Sequence, residues 1–209
     1  APGTGTDLQI DVADVTRIGG DQHAAQLLLV GLERCDQARG LLGAELAHVG
    51  VRIGSERTDQ ALRRLAKDVL SHKPSVVTLM YGTNDSYVDQ GKSASRITVE
   101  EYRTNLLRLV AELRAAGVTP VLMTEPRWGK TAKLNGVGEH PNVQLEKYVA
   151  ACRAVAAEMR VPLVDHFAHW TAAEAKGTDL GTWTTDQCHP NPDGHRVLAD
   201  LMLPVLRAA

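Results

Sequence analysis

Aromatic residues are scarce in this chain, making up 4% of its 209 residues, with Phe167 as the sole phenylalanine. A protein that follows single-stranded nucleic acid needs several aromatic side chains on which bases can stack. An excess of one charge is lacking as well, because 23 Lys and Arg residues face 25 Asp and Glu residues, for a net charge of -2. Such a balance gives no positive field for a phosphate backbone. We therefore expect no nucleic-acid partner.

Cysteines and long apolar runs are also few. The 3 cysteines can form at most one disulfide, which excludes a disulfide-scaffolded domain. No apolar run approaches the ~20 residues that a membrane-spanning helix needs, so we expect no membrane span. The chain starts at Ala1-Pro2-Gly3 with no hydrophobic leader. A mature exported chain and a trimmed one both fit this start, so export and a cytoplasmic location stay open.

The patterning predicts one α/β domain. The length predicts a single domain over residues 1–209, with 1–7 as a loose end. Short apolar runs predict strands, and amphipathic segments between them predict helices. Their alternation predicts a parallel sheet covered by helices on both faces. The predicted strands are 75–80, 118–124 and 161–164, and the predicted helices are 23–47, 58–71, 98–117 (starting with a capping box of Thr98 and Glu101), 142–159 (capped by Asn142) and 192–206.

Polar groups follow the predicted strands, where open parallel sheets bind their ligands. Gly82-Thr83-Asn84-Asp85 comes directly after the strand at 75–80. The Asn84 amide can donate a hydrogen bond to a developing oxyanion, although these residues are also ordinary turn formers. Gly54 and Ser55 precede the helix at 58–71. Backbone N–H groups there can hold an anion, or the segment is a plain loop and cap.

A second polar cluster lies near the carboxyl end, in the segment from Asp186 to His195. A carboxylate three residues before a histidine can accept a hydrogen bond from the ring and fix its tautomer. The other ring nitrogen of His189 then serves as a general base. Two other interpretations remain: a loop that caps the last helix, and a metal site of Cys188, His189 and His195, for which the usual ligand spacing is missing.

Together, the three segments resemble the SGNH (GDSL-like) hydrolase superfamily. Residues 53–58 look like its second block, 82–85 like its third, and 186–195 like its last. The resemblance implies a three-layer α/β/α sandwich with a flavodoxin-like parallel sheet. It also implies hydrolysis of a small-molecule ester, an acyl or acetyl ester of a carbohydrate or lipid, with no cofactor and no metal. Oligomeric state is left open.

The resemblance also implies a role for each matching residue. His189 would be the base and Asp186 the carboxylate that orients it. Asn84 and a backbone N–H at Ser55 or Gly54 would hold the oxyanion.

The first block departs from this pattern. The family has Gly-Asp-Ser with serine as nucleophile, whereas the nearest counterpart here is Gly20-Asp21-Gln22. Gln22 would then occupy the nucleophile position, and an amide is not a nucleophile. Three explanations stay open. The protein is a non-hydrolytic relative that binds a ligand, or its N-terminal sequence departs from that of the active enzyme. Alternatively, another group attacks the ester: Ser55, Ser86, Cys188 or a water activated by His189.

Overall fold

The computed structural model describes residues 24–33 and 45–208, with side chains from Ser55 onward. Within these residues, five strands form one sheet. They are β1 (Ala24–Glu33), β2 (Glu45–Gly54), β3 (Val76–Met80), β4 (Thr119–Met123) and β5 (Leu163–Val164). Their spatial order is β2-β1-β3-β4-β5.

The parallel part of the sheet lies where the sequence predicted it. β3 pairs in parallel with β4, and β4 with β5, so that Met80, Met123 and Val164 lie side by side. Both β3 and β4 are rich in buried apolar residues, as strands covered on two faces are. Their carboxyl ends meet at one edge, and the polar segments after them meet there too.

The helix expected over residues 23–47 is wrong in its described parts. Residues 24–33 and 45–54 are strands, and β1 is antiparallel to both β2 and β3. The unbroken apolar run at residues 27–30 fits a buried strand as well as a helix, and periodicity cannot separate the two in so short a run. In β2, Val49, Val51 and Ile53 alternate with polar residues and glycine, which is the period of a strand.

Helices cover the sheet. They are α1 (Thr58–Arg64), α2 (Thr83–Ser86), α3 (Val99–Ala115), α4 (Pro141–Met159), α5 (His166–Ala175) and α6 (Pro192–Ala208). A π-helical turn (Leu65–Val69) and a 3-10 turn (Leu70–His72) extend α1, and a second 3-10 turn spans Leu180–Trp183. None of the described helices combines the length and the apolar character needed to cross a membrane.

Two helix starts test the predicted caps. Thr98 caps α3, because its hydroxyl oxygen accepts from the Glu101 N–H at 3.1 Å, as predicted. The cap predicted at Asn142 is wrong, since His140 caps α4 and its Nδ1 accepts from the Asn142 N–H at 3.2 Å. The Asn142 side chain instead bonds both the N–H and the carbonyl of Trp128, at 2.9 and 3.0 Å. It therefore ties the loop after β4 to α4.

The core is aliphatic and lies on both faces of the sheet. On one face, residues of α1, α3 and α4 pack against Leu79 and Leu122. On the other face, Val76, Val121 and Val164 pack against apolar residues of α6. Helices on both faces of the sheet give the three-layer α/β/α arrangement that was predicted.

Candidate active site

Asp186 and His189 form a hydrogen-bonded pair in the loop before α6. Asp186 Oδ2 lies 2.7 Å from His189 Nδ1, and Asp186 Oδ1 accepts from the His189 backbone N–H at 2.8 Å. A carboxylate only accepts, so Nδ1 carries the ring proton and Nε2 holds the lone pair. Burial would raise the pKa of Asp186, but hydrogen bonds from His189 keep it below its ordinary value. The pair has the geometry of an oriented general base.

Gln187 holds this loop in place. Its φ is 73°, in the left-handed region that non-glycine residues rarely adopt. Its carbonyl accepts from the Gly129 N–H at 2.8 Å. A Cβ on Gly129 would lie 2.3 Å from Gln187 Oε1, and one on Gly181 would lie 2.7 Å from Gln187 Nε2. The Gln187 side chain thus fits between two glycines, on loops that flank the Asp186–His189 pair.

Asn84 lies in the turn after β3, at the start of α2. The residue is 3% exposed. Its Oδ1 accepts from Arg96 Nη1 at 3.0 Å. Its Nδ2 has no hydrogen-bond partner among the described residues. A buried amide donor without a partner is uncommon. It is the arrangement expected of a group that donates a hydrogen bond to a bound ligand.

Ser55 connects β2 to α1. Its φ is 59°, a left-handed conformation that favours glycine. The next residue, Glu56, is 1% exposed and pairs with Arg64 of α1, while the Tyr81 hydroxyl donates to Glu56 Oε2 at 2.8 Å. These contacts fix the turn beside the end of β3. Gly54 ends β2, where its backbone pairs with Ala24 of β1.

A glycine at position 55 should stabilise the protein. Ser55→Gly removes the Cβ that a left-handed backbone disfavours, and we expect a gain of about 1 kcal/mol in the free energy of unfolding. The backbone N–H stays, so the anion-binding role expected of it should not change. Urea unfolding measures the gain. Ser93→Gly is the matched control, because Ser93 is exposed and lacks a positive φ; a gain there of equal size would contradict the strain at Ser55.

One apolar cluster joins the two halves of the site. Trp128, Leu145 and Phe167 are buried in it, and Tyr87 and Cys188 pack against it. Tyr87 stacks on Trp128 with ring centroids 6.1 Å apart. Tyr87 comes three residues after Asn84, and Cys188 directly precedes His189. The fold therefore brings the third and last sequence blocks onto a shared apolar floor.

Glu125 is a buried carboxyl at the same edge. It follows β4, is 5% exposed, and accepts hydrogen bonds from Thr83. Its Oε1 has no partner within the described part of the chain. Burial raises its pKa to about 8, and the charge of Asp85 contributes to the rise. Asp85, which accepts from the Thr58 backbone N–H and hydroxyl at 3.0 and 2.6 Å, has a pKa raised by burial to about 6.

The proton on Glu125 should make stability depend on pH. The folded state holds this proton more tightly than the unfolded chain, so unfolding becomes easier as pH rises from about 4.5 to about 8. Each pH unit in that window lowers the free energy of unfolding by up to about 1.4 kcal/mol. Glu125→Gln removes the titration, and its Tm minus that of the wild type should grow across the window in thermal melts. A difference independent of pH would show that Glu125 is already ionised in the folded protein.

The other nucleophile candidates differ in their surroundings. The Ser86 side chain is buried, and its hydroxyl donates to the Thr83 carbonyl at 3.2 Å. Burial and the charge of Asp186 raise the pKa of Cys188 well above its ordinary value, which disfavours the thiolate that a nucleophile needs. Gln22 lies outside the described residues. Among the residues that the structure describes, no cluster of His, Cys, Asp and Glu could hold a metal.

Sequence reasoning gives no role to Arg96 or Glu125. Arg96 lies in a polar loop before α3, with no pattern to distinguish it from a solvated charge. Glu125 carries a positional signal, because a charged residue directly after a buried strand lies at the edge where ligands bind, but the sequence does not indicate what it does there. Both side chains contact the turn that holds Asn84.

Comparisons with known proteins point to one family. A model described as the GDSL-like Lipase/Acylhydrolase family matches residues 18–197. The uncharacterized lipoprotein YqeF of Bacillus subtilis (strain 168) is 30% identical over 171 residues, 70% of this chain and 68% of that protein. The isoamyl acetate-hydrolyzing esterase 1 homolog of Rattus norvegicus is 27% identical over 153 residues, 69% of this chain and 60% of that protein.

A solved structure supports the fold. The acetyl xylan esterase AlAXEase has a TM-score of 0.63 at 23% identity, over 74% of this chain and 78% of that one. The family model covers nearly the whole chain, including all three blocks recognised in the sequence. The chain therefore belongs to the GDSL-like lipase/acylhydrolase family, part of the SGNH hydrolases that its sequence blocks resemble.

Proposed function

We propose that the protein hydrolyses a small acyl or acetyl ester, with His189 as general base and Asp186 as the residue that orients it. The hydrogen-bonded Asp186–His189 pair is the single observation that carries the proposal. The unpartnered amide nitrogen of Asn84 and the backbone N–H of Ser55 serve as oxyanion donors.

The reaction is a direct attack by water, because Gln22 supplies no nucleophile. Water adds to the ester carbonyl carbon while His189 Nε2 takes one of its protons. The carbonyl oxygen becomes an oxyanion that accepts hydrogen bonds from Asn84 and Ser55. The tetrahedral intermediate then expels the alcohol oxygen, which takes the proton from His189 and leaves a free carboxylic acid.

The substrate class rests on relatives. One is named an isoamyl acetate-hydrolyzing esterase homolog and one an acetyl xylan esterase. Both names point to short acyl groups on an alcohol, carried by a small alkyl group in one and by a carbohydrate in the other. An acetyl ester is therefore the substrate to assay first.

Aryl-acetate hydrolysis by the purified chain tests the proposal. Direct attack by water forms no acyl-enzyme, so the aryl alcohol should appear linearly from the first turnover. A burst of one equivalent would reveal a covalent intermediate and contradict the water mechanism. Turnover no faster than in buffer would refute hydrolysis altogether.

A second candidate function follows from Gln22. A glutamine in the nucleophile position fits a protein that binds an ester or carbohydrate in the cleft without cleaving it. Gln22→Ser distinguishes the two: a serine that gives burst kinetics in an otherwise inactive chain identifies a binding protein with an intact base and oxyanion site. A wild type that already turns over esters rules this candidate out.

The location of the protein remains a proposal as well. The Bacillus relative is named a lipoprotein. Its name supports export of this chain from the cytoplasm. Fractionation of the source cells tests this, with recovery outside the cytoplasm as the expected result.

A further inference from the structure

We propose that Arg96 is a positioning residue that fixes the Asn84 amide with its N–H group toward the oxyanion. The inference rests on the proposed function, because it deepens the role given to Asn84. It begins from one contact, in which Arg96 Nη1 donates to Asn84 Oδ1 at 3.0 Å.

The chemistry of arginine decides which end of the amide faces it. A guanidinium has five N–H donors and no acceptor, so the atom of Asn84 that faces Arg96 must be the carbonyl oxygen. The amide nitrogen then points the other way, where it lacks a partner among the described residues. Without Arg96, the side chain could rotate by half a turn and present its oxygen to the oxyanion, which would repel it.

Arg96 is itself held by two residues besides Asn84. Its Nε and Nη2 donate to the two oxygens of Asp89 at 2.9 and 2.7 Å, a bidentate pair. Its guanidinium carbon lies 5.2 Å from the centroid of the Tyr87 ring. Nη1 therefore remains in one direction, toward Asn84.

The backbone brings Arg96 to this place. Residues 95–97 run beside residues 85–87, with the Arg96 N–H donating to the Tyr87 carbonyl at 3.0 Å and the Ile97 N–H to the Asp85 carbonyl at 3.2 Å. The Ser95 hydroxyl donates to the Ser86 carbonyl at 2.8 Å. These hydrogen bonds hold the loop before α3 against the Asn84 turn. Arg96 is therefore fixed beside Asn84 by its backbone as well as by its side chain.

A double-mutant cycle tests the proposal. Asn84→Ala should lower kcat about 10²- to 10³-fold, as loss of an oxyanion donor does. Arg96→Ala should lower kcat about 10- to 100-fold with little change in KM, since the donor persists in the wrong orientation part of the time. In the Asn84→Ala background, Arg96→Ala should have no further effect, because Arg96 acts through Asn84. An equal fall in both backgrounds would overturn the proposal.

Two further variants protect the test from a folding defect. Arg96→Lys keeps the charge beside Asp89, but one ammonium group cannot reach Asp89 and Asn84 with the arginine fork geometry. It should lower kcat in the same direction, and full activity would count against the proposal. Arg103→Ala is the matched control, because Arg103 also pairs with a carboxylate, Glu158, on an exposed part of α3. It should leave kcat unchanged.

A readout without turnover separates this proposal from the proposed function. In the wild type, the two side-chain N–H NMR signals of Asn84 should lie away from the chemical shifts of a free asparagine amide, and in Arg96→Ala they should move toward those shifts. Chemical shifts that do not change between the two proteins would overturn the positioning role. If the chain hydrolyses no ester but the shifts move, hydrolysis fails and the positioning role stands.

Discussion

Replacing His189 with alanine should lower kcat/KM for an aryl acetate by about 10²- to 10⁴-fold, the usual contribution of a general base. The alanine leaves Asn84 and Ser55 in place, so the residual rate measures what these proposed oxyanion donors supply without a base. The side chain of His189 is 23% exposed and pairs with Asp186, so removing it should cost some stability as well. Steady-state kinetics and a thermal melt of the same preparation give both quantities.

Two further variants are compared with His189→Ala, one at the orienting carboxylate and one as a control. Asp186→Asn keeps the size of the side chain, but its amide can donate to Nδ1 and so stabilise the wrong tautomer; we expect a loss nearly as large as for His189→Ala. His72→Ala is the matched control, since His72 is exposed on the 3-10 turn after α1. Equal rates for His189→Ala and the wild type would remove the Asp186–His189 pair from the mechanism.

Replacing Arg64 with leucine should destabilise the protein by about 3–5 kcal/mol, because it leaves the carboxylate of Glu56 buried without its cation. Glu56 is 1% exposed, and Arg64 contacts both of its oxygens. Of the side chains described as donating to Glu56, Tyr81 would then remain, through its hydroxyl. Urea unfolding measures the loss as a lower midpoint.

The neighbouring arginine supplies the control. Arg63 precedes Arg64 on α1 and pairs with Asp59 at 2.9 Å, but its side chain is 65% exposed, compared with 10% for Arg64. Arg63→Leu should therefore cost less than about 1 kcal/mol. Similar losses at the two positions would show that burial of the Glu56–Arg64 pair is not what matters.

The parts of the fold that the sequence predicted are those with a clear period. The strands at β3 and β4 are short, apolar and β-branched, and α3 carries its own cap at Thr98. Residues 24–33 lacked such a signal, because an unbroken apolar run fits either structure and only pairing with β3 decides it. A local sequence pattern does not indicate which distant strand a segment pairs with.

The same distinction holds at the site. Asp186 and His189 are three residues apart, so their contact could be predicted from spacing alone. Arg96 reaches Asn84 across 12 residues, through a loop with no periodicity. Glu125 meets Thr83 only because β3 and β4 are adjacent in the sheet. The fold brings these side chains together, and no local rule predicts such a meeting.

The position of Gln187 between Gly129 and Gly181 has a consequence for how this protein can change. The segment after β4 forms part of the apolar floor, and its Gly129 bonds the residue two places before the base. A mutation that reshapes this segment should also shift the peptide that carries His189, because the two are hydrogen-bonded. If the protein hydrolyses esters as proposed, we expect variants of this segment that accept new substrates to lose rate on the original one.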